Sequence, residues 1–106
     1  MQMSKSKPKQ RQISIDCSHL DKSELLHALS NALHFGPHFG YNFDALYDSL
    51  WDDIEENGAL ELELLNWSKM RMTRSNRQTL ISVFEEMQEE LDPGLLRVKI
   101  VERIIG

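Results

Sequence analysis

The run Leu60-Glu61-Leu62-Glu63-Leu64 is the feature that most limits what this chain can become. Strict alternation fits a strand, because successive strand side chains point to opposite faces, one covered and one wet. On both sides of it lie segments whose apolar residues recur at steps of three and four, the helical spacing. Strands separated by helices imply parallel pairing through crossover connections. Parallel sheets are usually covered on both faces and built from continuously apolar strands; this strand carries glutamates. The expected architecture is therefore α/β in two layers, a three-stranded parallel sheet with helices packed on one face.

The remaining elements follow from local signals. Residues 12–16 alternate with Ile13 and Ile15 on one side, and residues 96–101 alternate with Arg97 and Lys99 on the wet side. Their sign is opposite to that of Glu61 and Glu63, which suits the two strands as neighbours. Asp21 with Glu24 forms a capping box, with Leu20 and Leu25 as the hydrophobic staple of a helix that buries Leu25, Leu29, Ala32 and Leu33. Its stop is expected at Gly36, a left-handed glycine before Pro37. Residues 67–72 read as a short helical turn. Thr73 or Ser75 opens a long helix to about Glu90 that buries Leu80, Ile81, Phe84, Met87 and Leu91. Asn57-Gly58 and Asp92-Pro93-Gly94 are turn signals. Residues 1–11 are read as a flexible basic tail and 12–106 as a single domain.

Residues 40–54, GYNFDALYDSLWDDI, carry two unlike stripes on one helix. Phe43, Leu46, Tyr47, Leu50, Trp51 and Ile54 form the apolar stripe. Asp44, Asp48, Asp52 and Glu55 form an acidic one beside it, with Tyr47 and Trp51 at the seam. Asn42 is placed to cap the helix, and Tyr41 to staple onto Leu46. The helix dipole accounts locally for Asp44 near the N-terminus, but less for Asp48, Asp52 and Asp53. Carboxylates and aromatic rings thus share one surface.

Charge sharpens this reading. The formal net charge is −5, and the first eleven residues hold Lys5, Lys7, Lys9 and Arg11 with no acid, so residues 12–106 carry −9. Between Lys22 and Lys69 there is no Lys or Arg, whereas nine Asp or Glu occur. Such a field repels nucleic acid and attracts a basic partner. Cys17 is the single cysteine, which excludes an internal disulfide and points to a reducing, cytoplasmic setting. No apolar run reaches the roughly 20 residues of a membrane span.

The string GYNFDALYDSLWDDI resembles the segment that marks the barstar family, intracellular inhibitors of secreted microbial ribonucleases, in which a glycine, an asparagine and an Asp-Ala-Leu-aromatic-Asp run open the binding helix. The likeness extends through the order of elements from about Gln12 to Val101, and to VFEEM at Val83 to Met87, where the family has a glutamate after Val-Phe. The resemblance implies a one-to-one complex with a basic, barnase-like ribonuclease, whose active site is plugged by carboxylates set where substrate phosphates would lie. Asp48 matches the family's central acid, facing the arginines and histidine of the enzyme. Asp44 matches a second acid on the same helix, and Glu86 a third from the long helix. Phe39 and Gly40 keep an aromatic-glycine pair, His38 stands where the family has tyrosine, and Tyr47 where it has tryptophan. Trp51 replaces a small hydroxyl residue and makes the rim bulkier. With Asn42 and Asp52 these complete the expected partner-binding set.

Other readings use the same residues. An acidic binding module or immunity protein for a different basic toxin, without ribonuclease inhibition, fits the same surface. Asp44 with Asp48, or Glu85 with Glu86, has the residue types for acid–base hydrolysis, yet no phosphate loop or nucleophile elbow accompanies them. His27, His34 and His38 are spaced like metal ligands, but Gly36-Pro37 breaks the register between the last two, and no metal or cofactor is expected. Lys69, Arg71, Arg74 and Arg77, with Met70 and Met72 interleaved, form the one basic cluster beyond the tail. Neutralisation by Glu85, Glu86 or the acidic helix is expected there rather than nucleic-acid binding. No membrane and no small-molecule substrate are expected.

Overall fold

A computed structural model describes residues 11–102. Three strands, β1 (Arg11–Asp16), β2 (Leu60–Leu65) and β3 (Leu96–Ile100), form one parallel sheet in the order β1-β2-β3. Helices α1 (Lys22–Leu33) and α2 (Phe43–Asn57) connect β1 to β2, and α3 (Arg74–Glu90) connects β2 to β3. A sequential parallel order moves both crossovers the same way across the sheet. With crossovers of one hand, all helices then fall on the same face. Burial agrees: Leu60, Leu62 and Leu64 of β2 are fully buried beneath the helices, with Ile15 and Leu96 beside them.

The register sets the wet face. Gln12, Glu61 and Arg97 lie in one row, and Ser14, Glu63 and Lys99 in the next. Lys99 Nζ lies 3.3 Å from Glu61 and 3.9 Å from Glu63. Ser14 Oγ donates to Glu63 at 2.7 Å, and Gln12 Nε2 to Glu61 at 3.4 Å. The alternation of β2 therefore resolves into an apolar row under the helices and an acidic row answered by its neighbours, as opposite charges across strands favour.

Local signals hold at most helix ends. Asp21 and Glu24 close the capping box of α1 in both directions, and Thr73 caps α3 by accepting from Asn76 N–H. The stop of α1 falls earlier than Gly36. His34 takes the left-handed position at φ 59°, and both its own N–H and that of Phe35 reach back to Ser30 O. That six-to-one bond closes a Schellman turn and leaves Gly36 to turn the following loop. Arg11, assigned above to the tail, opens β1 instead, because its guanidinium has a partner on α2. The rest of the expected tail, 1–10, lies outside the described residues. Residues 67–69 form the expected short turn, of 3-10 type.

Candidate functional site

Helix α2 is set by its ends and its apolar stripe. Asn42 Oδ1 accepts from Ala45 N–H at 2.7 Å, while its Nδ2 donates to Gly40 O at 3.3 Å. The loop thereby approaches the first turn so closely that a Cβ on Gly40 would meet Asn42 Nδ2 at 3.2 Å and Ala45 Cβ at 3.4 Å. Leu46, Leu50 and Ile54 are buried in the core, and Phe43, Tyr47 and Trp51 are half-buried along its edge. Lys22 Nζ sits 4.5 Å above the Phe43 ring and ties the start of α1 to that of α2.

The loop before α2 is held by rings. Phe39 is 7% exposed and lies 5.0 Å from Phe35 and 4.8 Å from Tyr41, whose own ring stacks on His27 at 4.1 Å. Tyr41, expected to staple onto Leu46, is thus turned to this aromatic row and remains 43% exposed. Of the two neighbours in the expected site, His38 is exposed and Phe39 anchors the loop from inside.

The acidic stripe points outward. Asp44, Asp48 and Asp52 are exposed on α2, as is Glu86 on α3, and among the described residues none of the four forms an ion pair. Helix α2 packs on α3, and Asp48 of the one and Glu86 of the other both lie close enough to the Tyr47 phenol for their charges to act on it. Asp53 behaves differently from its neighbours. It is 8% exposed, accepts from Arg11 Nη2 at 2.8 Å and from Asn57 Nδ2 at 3.0 Å, and so belongs to the fold rather than to the stripe. The same Arg11 nitrogen donates to Gly58 O at 2.7 Å.

One residue of this surface was not in the expected set. Glu90, on the last turn of α3, accepts the Tyr47 phenol hydrogen bond at 2.5 Å. Tyr47 in turn stacks on Trp51, with ring centroids 5.9 Å apart and planes 15° from parallel. Tyr47, Asp48, Trp51, Asp52 and Glu90 line a hollow of about 440 Å³. The bond to Glu90 is the main reason that the Tyr47 phenol is pushed up to about 12, with partial burial and the charges of Glu90, Glu86 and Asp48 adding to it. The available signal was spacing: Glu90 lies one turn beyond Glu86 on the same face of α3. A second, larger hollow of about 840 Å³ lies between α1, α2 and the start of β1, and Asp52 borders both.

The other candidate constellations disperse. Among the described residues no group of three His, Cys, Asp or Glu is arranged to hold a metal ion. His27 Nδ1 donates to Ser23 O at 2.8 Å. Met70 and Met72 are buried in the core rather than interleaved with the basic side chains. Lys69, Arg71, Arg74 and Arg77 form no ion pair among the described residues, contrary to the expected neutralisation. Arg74 and Glu85 are eleven residues apart along one helix, about 16 Å at 1.5 Å per residue, too far to meet. Cys17 is fully buried, and its burial pushes the thiol up to about 11, the wrong direction for a nucleophile. No described helix is long and apolar enough to cross a membrane.

A family model described as Barstar (barnase inhibitor) matches residues 10–101. No curated protein matches the chain.

Proposed function

The chain belongs to the barstar family, whose proteins are barnase inhibitors and not enzymes, and from that premise we propose that it blocks the active site of a barnase-like ribonuclease with the carboxylates of α2 and α3. The observation that carries this reading is that Asp44, Asp48, Asp52 and Glu86, on two helices that pack together, are exposed and form no ion pair among the described residues, whereas Asp53, Glu61 and Glu63 are each paired with a cation of the fold. An enzyme that cleaves RNA presents cations and proton donors to a phosphate, and carboxylates held on packed helices compete for the same groups. Asp48 borders the hollow with Tyr47 and Asp52, and Asp44 precedes it by one turn of α2. Asp48 is the central anchor. Glu86 approaches from α3, and Asp44 is nearer the edge.

Charge complementarity of this kind mainly accelerates encounter, while a few desolvated pairs hold the complex. The cap of Asn42 and the close approach at Gly40 serve binding by fixing the first turn of α2, and buried Phe39 does so by pinning the loop. His38, exposed on the loop, and Trp51, in the wall of the hollow, select among enzymes.

Titration of barnase with the purified chain tests the reading. Loss of ribonuclease activity near one equivalent, relieved by Asp48→Ala, is the expected outcome. The bulk of the Tyr47–Trp51 stack favours one other partner, a basic toxin of different surface shape. A one-to-one complex with such a toxin, while barnase stays fully active, would select that reading instead.

A further inference from the structure

We propose that Glu90 is a positioning residue of the recognition surface: by accepting the Tyr47 phenol it holds that ring against Trp51 and fixes the aromatic wall beside Asp48. The inference rests on the reading above, that this surface receives a ribonuclease. A tyrosine at a helix edge ordinarily swings between rotamers, and that freedom has to be lost when a partner docks. Here the ring is held at both ends. Its tip is tied to α3 by a bond of 2.5 Å, and its face lies parallel to Trp51, one turn along α2.

Glu90 is committed to this task. Among the described residues it forms no ion pair, and the bond that the structure gives its side chain is the one to Tyr47. A phenol donating to a carboxylate makes a charge-assisted bond, stronger than one between neutral groups. Glu86 and Asp48 also face the phenol and oppose its ionisation, so the proton that makes the bond is retained well above neutral pH. The tie also links the end of α3 to the middle of α2. Glu90 therefore acts through Tyr47, whereas Asp48 acts on the partner directly.

Four variants separate the two modes: Glu90→Gln, Glu90→Ala, Tyr47→Phe, and Tyr47→Phe with Glu90→Ala. Affinity for barnase is measured together with near-ultraviolet circular dichroism and a spectrophotometric phenol titration of the free protein. A glutamine keeps the acceptor oxygen without the charge, so Glu90→Gln is expected to bind within about threefold of the parent, while Glu90→Ala and Tyr47→Phe each weaken binding roughly tenfold, the scale of one hydrogen bond to a charged group. The double variant is expected to be no weaker than either single one.

In the free protein, Tyr47 stays protonated where an ordinary phenol, ionising near 10, has lost its proton. Glu90→Ala is expected to bring its ionisation back toward that of an ordinary phenol, with burial, Glu86 and Asp48 still raising it, and to reduce the Tyr47–Trp51 dichroism. Equal losses in Glu90→Gln and Glu90→Ala, or additive losses in the double variant, would show that Glu90 meets the partner by its charge and overturn the proposal. Unchanged phenol ionisation in Glu90→Ala would overturn it as well. The two readings fail separately: inhibition without the phenol effect removes the clamp alone, and the phenol effect without inhibition removes the ribonuclease partner and with it the role of Glu90 in recognition.

Discussion

The molecule has two acidic surfaces, and they are built to opposite ends. On the open face of the sheet, Glu61 and Glu63 are answered by Lys99, Gln12 and Ser14 from the adjoining strands. On the packed helices α2 and α3, Asp44, Asp48, Asp52 and Glu86 stand exposed and form no ion pair among the described residues. The first arrangement lets a parallel sheet leave one side in water. The second leaves an unsatisfied field, the one that the proposed ribonuclease partner would meet. Both surfaces carry acids, and tracing their partners is what separates them.

Substitutions can break this contrast or sharpen it. Asp48→Ala should have the largest effect, weakening the ribonuclease complex by about 2 kcal/mol or more, roughly 30-fold, as expected for a central anchor. Its thermal unfolding should stay close to that of the parent, and the affinity that remains should depend less on salt. A large loss of stability instead would move Asp48 to the structural class. Arg11→Ala tests the buried counterpart on the same helix. It leaves Asp53 buried with Asn57 as its remaining side-chain partner, so urea unfolding should show a loss of about 1–3 kcal/mol while the folded fraction still binds.

Lys99→Ala should shift stability by at most about 1 kcal/mol, the range of a solvent-exposed ion pair, and leave affinity unchanged. A measurable fall in affinity would join the sheet face to the recognition surface. The smallest effect concerns acid. Asp16 is held down to about 2 from 3.8, chiefly by the hydrogen bond from Asn66 and then by Ser18. A carboxyl whose folded value is depressed stabilises the fold above its unfolded value, and that contribution is lost as pH falls from about 4 toward 2. Asp16→Asn should therefore flatten the decline in stability over this window, read by unfolding at each pH.

Much of the arrangement is legible in residues that act locally. The alternation of β2, the capping box at Asp21 and Glu24, and the cap at Asn42 each depend on side chains within a few positions, and each forms as its spacing demands. The outward stripe of Asp44, Asp48 and Asp52 is equally local, since one helical period sets it against Leu46, Leu50 and Ile54. Family resemblance supplied Glu86, which periodicity alone would leave among several acids of α3. Three of the features that escaped show why. His34 takes the left-handed stop because Ser30 O can accept from both His34 and Phe35, a geometry in which the glycine two residues later has no part. Tyr41 leaves its staple position for His27 and Phe39. Asp53 reads as one more surface acid until Arg11, 42 positions away, is brought to it.

Pattern and sign are thus properties of the sequence itself. Period two and period three-to-four decide which side chains face the core, and the scarcity of Lys and Arg between positions 22 and 69 decides the field around α2. Only the tertiary structure decides which charges are cancelled and which are left over, because an ion pair or a phenol–carboxylate bond forms over about 3 Å between residues that lie far apart along the chain. Arg11 reaches Asp53, Lys99 reaches Glu61, and Glu90 reaches Tyr47 for that reason. In the proposed reading, acids left unpaired on α2 and α3 are the ones offered to the ribonuclease.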